Sequence, residues 1–253
     1  MSDTIGAGRE GAPHVISGKA WPFRLASERG RATRAWRLTK SGAPNRTSPP
    51  DAATLRSAAA DRLRDVVLTL MAAKPFHQVG MRDITKASGL SLSQIYALAA
   101  SKDGLVPCCL EPAMETLLER LADASRLEVG ARRRLTACLI ELSRLAFEDE
   151  RVGRILYLNA PRSLWIAAGG AGDGHDARRT ALFEEIVRHG AREGSVRPDR
   201  SPAALTRLLL AAADGVIADH VARDTASSKA LKPDWRARGA ELIDLVWPMV
   251  SAD

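Results

Sequence analysis

The stretch that decides the fold occupies residues 81–102, and its sequence is MRDITKASGLSLSQIYALAASK. Its pattern predicts two short helices that meet at a tight turn. Ile84 and Ala87 give the first helix an apolar stripe, and Gly89 can adopt the left-handed conformation that ends a helix. Leu90 follows directly and is apolar enough to be buried in the corner between the helices.

The second short helix carries its own start signal. Ser91 is a preferred N-cap residue, and Gln94 three positions later completes a capping-box pattern. Ile95 and Leu98 supply the inward face of this helix. Two helices joined by a short turn containing glycine form a helix-turn-helix, in which the second helix enters the major groove of DNA. The stretch therefore predicts a DNA-binding motif.

The segment from Leu63 to Leu105 resembles the N-terminal domain of TetR-family transcriptional regulators. The resemblance is carried by an apolar helix followed, in order, by Lys74-Pro75-Phe76, Met81-Arg82-Asp83-Ile84, Gly89-Leu90-Ser91, Ile95-Tyr96 and Ser101-Lys102. It implies an all-α fold, with an N-terminal three-helix domain that holds the helix-turn-helix, then a larger helical bundle that dimerises through its last two long helices. It also implies a ligand-responsive, sequence-specific regulator, in the first place a repressor.

The resemblance places seven residues of this chain on the DNA: Arg82, Ser91, Leu92, Ser93, Gln94, Tyr96 and Lys102. Tyr96 and Lys102 match positions that hold the phosphate backbone, which fixes register without reading sequence. Arg82 has an alternative role in a surface ion pair with a nearby acid such as Asp83. Ser91 can contact a phosphate or only cap its helix, and Gln94 can bond an adenine edge or fold back as the capping-box partner.

The second helix of the motif departs from the family pattern. Ala97, Leu98 and Ala99 stand where family members usually carry polar or aromatic residues, and Leu92 occupies a position that is often polar or basic. Thr85 replaces a small alanine where the two helices approach. Readout then depends on methyl contacts or on DNA shape. A second hypothesis is a protein of this fold that binds a ligand or partner and has weak or lost specific DNA binding.

Beyond the motif, apolar residues recur at helical spacing. The pattern predicts helices at roughly 131–148, 150–166, 176–193, 201–224 and 234–250, with a flexible glycine-rich loop at 169–174. An acidic loop at Asp173, His175 and Asp176 is a weak metal-binding candidate. Pro107 and Pro112 fall in the helix that follows Lys102, so that helix is expected to start late or to be kinked.

A pocket for a small-molecule effector is expected inside the bundle because the family resemblance implies one. Its candidate lining residues are Met114, Leu118, Leu142, Tyr157, Trp165 and Phe183. An apolar helix stripe is core by default, so plain core packing is the alternative for most of them.

The chain is expected to have three parts: a basic, disordered arm at 1–50, a helix-turn-helix domain at 51–105, and a ligand-binding and dimerisation domain at 106–253. Before Pro49, nine basic residues face three acidic ones, so the arm holds six of the seven net positive charges. The arm either adds phosphate or minor-groove contacts beside the recognition helix or is a solvated extension without consequence.

Several classes of protein are disfavoured. No apolar stretch is long enough to span a bilayer and the N-terminus lacks a signal-peptide pattern, so we expect a cytoplasmic protein without a membrane partner. No nucleophile–base constellation indicates an enzyme, and neither a cofactor nor a metal is expected. Cys108 and Cys109 form a redox sensor or, more in keeping with an apolar helical pattern, two buried thiols. The expected partners are a near-palindromic operator in double-stranded DNA, a second copy of the chain and an unidentified effector.

Overall fold

The computed structural model describes residues 52–99, 101–160, 171–227 and 234–252, all of which lie in one compact unit, Leu38–Asp253. Nine α-helices occur in these ranges: α1 (Ala52–Ala73), α2 (Met81–Ser88), α3 (Leu92–Leu98), α4 (Lys102–Leu127), α5 (Ala131–Glu148), α6 (Glu150–Arg154), α7 (Ala171–Glu193), α8 (Pro202–Ala226) and α9 (Trp235–Val246). The described part of the chain holds no strand, only one isolated antiparallel bridge between Val196 and Ser251. The all-α prediction is confirmed. The predicted basic arm lies outside the described residues.

The first three helices enclose a small core. Leu63, Val67 and Met71 recur along one side of α1 and are buried, as are Ile84 of α2 and Ile95 of α3. This is the inward stripe that helical spacing produces. A 3₁₀ turn, Phe76–Gln78, joins α1 to α2.

Helix α4 runs without interruption from Lys102 to Leu127 and contains both Pro107 and Pro112. The expected late start is therefore wrong, because the helix begins at Lys102, where Ser101 caps it by accepting a bond from the Gly104 N–H at 3.0 Å. Each proline removes one N–H that would reach four residues back. The predicted domain boundary at 105/106 falls within this helix, and the three-part division stays a prediction.

The bundle core is formed by α4, α5, α7, α8 and α9. Its largest side chains include Phe183, Leu135 and Leu139, which are completely buried. Helices α5 and α9 approach so closely that a Cβ added to Gly239 would lie 2.4 Å from the Cα of Ile140. None of the helices within the described ranges is long and apolar enough to cross a membrane.

Three predicted boundaries are wrong. The helix expected at 150–166 passes after Arg154 into one π-helical turn, Ile155–Asn159, and Ala160 is extended. Ala160 precedes Pro161, and a residue before proline disfavours helical dihedrals. The prediction of a glycine-rich loop at 169–174 is wrong from Ala171 onward, because α7 begins there. The last helix ends at Val246 and a 3₁₀ turn follows, rather than helix to residue 250.

Candidate nucleic-acid interface

The turn between α2 and α3 is fixed by local bonds. Gly89 has φ 69° and ψ 9°, the left-handed conformation expected of it, and its N–H donates to the Thr85 carbonyl at 3.0 Å. The Leu90 N–H donates to the buried Ser88 hydroxyl at 3.2 Å. Leu90 is itself buried in the corner. The two helices are thereby held at a defined angle with no contribution from a ligand.

Helix α3 begins with a complete capping box. The Ser91 hydroxyl accepts a bond from the Gln94 N–H at 3.3 Å, and the Gln94 Oε1 accepts one from the Ser91 N–H at 2.8 Å. The capping-box interpretation of Ser91 and Gln94 is confirmed. A bidentate contact to adenine uses both the oxygen and the nitrogen of an amide, and the Gln94 oxygen already accepts the capping bond.

The outer face of α3 is exposed and largely apolar. Ile95 is fully buried, whereas Leu92 and Tyr96 are 46% and 44% exposed. Ser93 and Ala97 are exposed on the same helix. Helix α3 therefore presents a solvent-facing surface with one tyrosine hydroxyl, one serine hydroxyl, the Gln94 amide and two apolar side chains.

Lys102 has a structural role beside its predicted one. Its Nζ donates to the Phe76 carbonyl at 2.9 Å and lies 4.3 Å from the centroid of the Phe76 ring. An ammonium group has three donors, so two remain for a phosphate. The contact joins the start of α4 to the turn before α2 and closes the helix-turn-helix at both ends.

Arg82 is exposed in the first turn of α2 and does not pair with Asp83. The Asp83 carboxylate instead accepts a bond from the Gly80 N–H at 3.0 Å. Asp83 is therefore not the partner of Arg82, and the choice between DNA and another nearby acid stays a prediction. Thr85 directs its hydroxyl to the Arg82 carbonyl at 2.9 Å, so the polar group that replaces the usual alanine is satisfied within its own helix.

The candidate effector residues fall into two groups. Leu118, Leu142 and Phe183 are buried, the last two within the bundle core. Met114 and Tyr157 are half-buried and pack against that core. Trp165 lies outside the described residues. Core packing accounts for the buried group, while Met114 and Tyr157 lie at its margin.

A buried charged layer between α7 and α8 was missed by the sequence reasoning. Arg179 is buried; its Nη1 donates to Asp214 Oδ1 at 3.2 Å and its Nη2 to Asp176 Oδ1 at 2.7 Å. Burial alone lowers the pKa of Arg179, but the charges of Asp214, Tyr157 and Asp176 outweigh it and the pKa is raised. The Asp176–Arg179 spacing was a visible signal, but it is equally typical of an exposed helix pair.

The supposed acidic loop belongs to α7, where His175 faces α4. His175 lies within α7, is buried, and has its Nε2 2.8 Å from Glu115 Oε1 on α4. Arg178 Nη1 donates to the same oxygen at 3.0 Å. The loop assignment is therefore wrong. Among the described residues no group of three or more His, Cys, Asp or Glu side chains is arranged to hold a metal ion.

The thiols are poorly suited to redox sensing. Burial is the main cause that raises the pKa of Cys108 to about 11 and of Cys109 and Cys138 to about 12. Because the thiolate is the reactive form, these groups stay protonated near neutral pH. Cys109 is a buried thiol as expected, whereas Cys108 is only half-buried.

The same fold occurs in known regulators. FadR from Bacillus subtilis, solved in complex with stearoyl-CoA, has 15% identity and a TM-score of 0.62 over 74% of this chain and 96% of FadR. NalD, the secondary repressor of the MexAB-OprM multidrug efflux pump in Pseudomonas aeruginosa, has 18% identity and a TM-score of 0.60 over 78% of this chain and 99% of NalD. A regulatory protein of the tetR family from Rhodococcus RHA1 has 20% identity and a TM-score of 0.57 over 77% of this chain and 98% of its own.

The sequence comparisons found no match, in contrast to the structural comparison. No protein-family model matches the chain, and no curated protein matches it either. The structural likeness confirms the predicted resemblance at the level of the fold: the chain shares the all-α architecture of TetR-family regulators.

Proposed function

We propose that the protein is a ligand-responsive, sequence-specific DNA-binding transcriptional regulator of the TetR family, acting as a repressor. The observation that carries this proposal is the exposed outer face of α3, held rigid by the Ser91–Gln94 capping box and the Gly89 turn. A short helix with one buried face and one solvent-facing surface is the form in which a major groove is entered. Binding, not catalysis, is the activity that this geometry supports.

A homodimer on a near-palindromic operator is part of the proposal. Helix α8 exposes Leu208 (48%), Ala211, Gly215 and Ala222 at spacings of three, four and seven residues. Leu245 of α9 and Met249 of the 3₁₀ turn that follows it are also exposed. Small and apolar residues along an exposed helix face favour helix association. Two copies joined here would present their recognition helices about 34 Å apart, or a multiple of one DNA turn.

The effector belongs in the bundle. FadR carries stearoyl-CoA in its complex, which supports a small-molecule site in the same fold. Met114 and Tyr157 are the predicted pocket residues that are not fully enclosed by the core, and they are the first positions to test. Binding there would alter the spacing of the two recognition helices.

A second candidate function is supported by the chemistry of α3. The amide oxygen of Gln94 is engaged by its own helix, and Leu92 is an exposed apolar residue. A recognition surface with few donors and acceptors also fits a ligand-binding or interaction protein of this fold that has weak or lost specific DNA binding.

The deciding experiment is fluorescence anisotropy of the full chain on the DNA flanking its own gene, with excess nonspecific DNA as competitor. We expect competitor-resistant binding that is weakened by Tyr96→Phe and by Lys102→Ala. The lysine change should reduce the slope of log affinity against log salt by about 1. Arg126→Ala is the matched control, because Arg126 is an exposed cation on α4 remote from the motif.

The same experiment separates the candidates. Binding that the competitor removes, or that disappears when residues 1–48 are deleted, assigns the affinity to the basic arm and favours the second candidate. Unchanged affinity in both the Tyr96 and the Lys102 variants would show that the assigned face is wrong.

The dimer is tested by sedimentation velocity. Leu208→Lys places a charge on the exposed face of α8 and should convert dimer to monomer. Leu127→Lys is the control, since Leu127 is 82% exposed at the end of α4. A wild-type monomer, or a Leu208 variant that remains dimeric, contradicts this interface.

A further inference from the structure

The C-terminal end of α1 is held by a side chain from the bundle. The last carbonyls of a helix have no partner within it. Here the Asn159 Nδ2 donates to the carbonyls of Met71 and Ala72, both at 2.9 Å. These contacts span 88 and 87 residues of sequence. One amide group from the bundle therefore satisfies two consecutive orphan carbonyls of the DNA-binding part.

Asn159 is the last residue of the π turn Ile155–Asn159. The turn is closed by a bond from the Ala160 N–H to the Ile155 carbonyl at 3.0 Å. Single π turns are uncommon and occur frequently at functional sites. Rewinding the turn to α geometry would rotate Asn159 relative to α1, because each residue advances an α-helix by about 100°. The hold on α1 therefore depends on the form of the turn.

The π turn packs against α8, the helix that carries Asp214 of the buried charged layer. Tyr157, in the middle of the turn, is half-buried and packs against the bundle core. The helix that holds Asp214 of the Arg179–Asp214 pair thus contacts the turn that carries the Asn159 amide.

Helix α6 keeps the turn in place beside α1. Arg151 Nη1 donates to Asp65 Oδ1 at 2.7 Å and to Thr69 Oγ1 at 3.3 Å, both on α1. Its Nη2 donates to Asp149 Oδ2 at 3.0 Å. These bonds attach α6 to the middle of α1, while Asn159 attaches the π turn to its end.

The end of α1 leads directly into the DNA-binding motif. Four residues beyond Ala72 comes Phe76, whose carbonyl accepts the bond from Lys102 that closes the helix-turn-helix. Helices α2 and α3 lie between Phe76 and Lys102. The position of the end of α1 is therefore transmitted to the whole motif, including its exposed face.

We propose that Asn159 is a positioning residue for the helix-turn-helix, and that the Arg179–Asp214 pair controls its hold on α1 through the π turn. This rests on the proposed function and supplies its route of regulation. An effector that separates Arg179 from Asp214, or that displaces Tyr157, reshapes the π turn and releases the Met71 and Ala72 carbonyls. The motif then loses its fixed orientation.

The test is hydrogen–deuterium exchange of the full chain, followed in residues 71–98. Asn159→Ala removes both bonds and should increase exchange there by at least about fivefold, the effect of losing one hydrogen bond of ordinary net strength. Asn159→Asp should do more, since it puts a negative charge beside helix C-terminal carbonyls. Asp214→Asn stands in for an effector and should change exchange in 71–98 about fivefold or more, a coupling at the lower end of allosteric effects.

The double variant separates positioning from mere stabilisation. If Asn159 carries the signal, Asp214→Asn has no further effect on residues 71–98 when Asn159 is already alanine. Equal effects of Asp214→Asn in both backgrounds, or no effect in the wild-type background, overturn the proposal. Asp199→Asn is the control, because Asp199 forms an exposed ion pair with Arg197 outside this layer, and it should leave residues 71–98 unchanged.

DNA binding of the same variants distinguishes the two proposals. Coupled exchange without specific DNA binding by the wild type supports the positioning role of Asn159 and overturns the regulator function. Specific DNA binding with uncoupled exchange supports the regulator function and overturns the positioning role of Asn159. Specific binding that is weakened by Asp214→Asn only while Asn159 is present supports both.

Discussion

The helix-turn-helix and the bundle are built from contacts of very different reach. In α2 and α3 the fixing bonds join residues three or four positions apart, such as Gly80 with Asp83 and Ser91 with Gln94. In the bundle, Ala131 bonds to Glu193 across 62 residues and Arg132 to Asp244 across 112. Bonds between neighbours in the chain produce a local shape that can be predicted from the sequence. Bonds between distant residues determine how the helices pack against one another.

This difference also assigns different tasks to the two regions. The motif is short and carries little buried area of its own, so its stability depends on α1 and on the Lys102–Phe76 contact. The bundle has the large apolar core and supplies the cooperative part of folding. Disturbing the bundle should therefore unfold the protein, and disturbing the motif should loosen only the motif.

The largest effect is expected from Gly239→Ala. A Cβ at this position would lie 2.4 Å from the Cα and 2.9 Å from the backbone N of Ile140, so α5 and α9 would have to separate. We expect the free energy of unfolding to fall by about 3 kcal/mol, as for strong overpacking of a core. Urea unfolding followed by circular dichroism measures it.

Gly174→Ala is the matched control for this substitution. Gly174 also lies in a helix, but no atom comes within 4 Å of its added Cβ. Alanine there should stabilise the helix by up to about 1 kcal/mol, the ordinary difference between the two residues. A Gly239 variant as stable as the Gly174 variant would show that α5 and α9 are not in close contact.

A smaller and more local effect is expected from Gly89→Ala. Gly89 has φ 69°, and the left-handed conformation costs an L-residue about 1–2 kcal/mol. The strain should appear as faster amide exchange in α2 and α3, with the urea midpoint of the bundle nearly unchanged. Gly89→Asn is the comparison, because asparagine tolerates this conformation better. Equal exchange in the two variants would argue against backbone strain at the turn.

Ser91→Ala should cost about 1 kcal/mol of local stability, the usual value of an N-cap side chain. The Gln94 N–H would lose its acceptor, and α3 should fray from its first turn. Exchange of the α3 amides measures the loss. Ser91→Asp keeps an acceptor at the N-cap and should retain the protection of the α3 amides against exchange. If these amides exchanged as fast in Ser91→Asp as in Ser91→Ala, the N-cap bond would not be what holds α3.

The smallest effect concerns one long-range bond and its dependence on pH. The pKa of Glu193 is lowered, first by the bond from the Ala131 N–H and then by the Ser195 hydroxyl. Since the folded pKa lies below the unfolded one, this stabilisation is present above the ordinary glutamate pKa and is lost as the pH falls through the folded pKa.

Glu193→Gln removes the charge and should make this contribution independent of pH. The stability difference between wild type and variant should therefore shrink as urea unfolding is repeated from about pH 6 down to about pH 3, a range that brackets an ordinary glutamate pKa. A difference that is constant over this range would show that the carboxylate is not perturbed by folding.

Features that depend on residues close together in the chain could be predicted from the sequence. The predicted helix at 131–148 matches the limits of α5. The Gly89 turn and the Ser91–Gln94 capping box could be predicted because each depends on neighbours in the chain. The Arg179–Asp214 pair was not, since it requires the packing of α7 on α8. The seven DNA-facing residues stay a prediction, because contact with DNA depends on a partner as well as on the chain.

The end of the helix predicted at 150–166 could have been placed from the sequence. Pro161 marks residue 160 as a poor helical position, and that would have ended the helix predicted at 150–166 near its observed limit. The π turn before it had no such signal, because its geometry is set by contacts with α1 and α8. Local chemistry thus gives the end of this segment, and tertiary contacts give its form.

The capping box of α3 has a consequence for how binding preference can change over generations of mutation. Because Ser91 and Gln94 are committed to starting the helix, they are poor positions at which to vary a target sequence. Leu92, Ser93 and Ala97 are exposed and make no bond that the helix needs. Under the proposed function, folding and selectivity would depend on separate residues, and a library randomised at these three positions should yield new targets while leaving a folded protein.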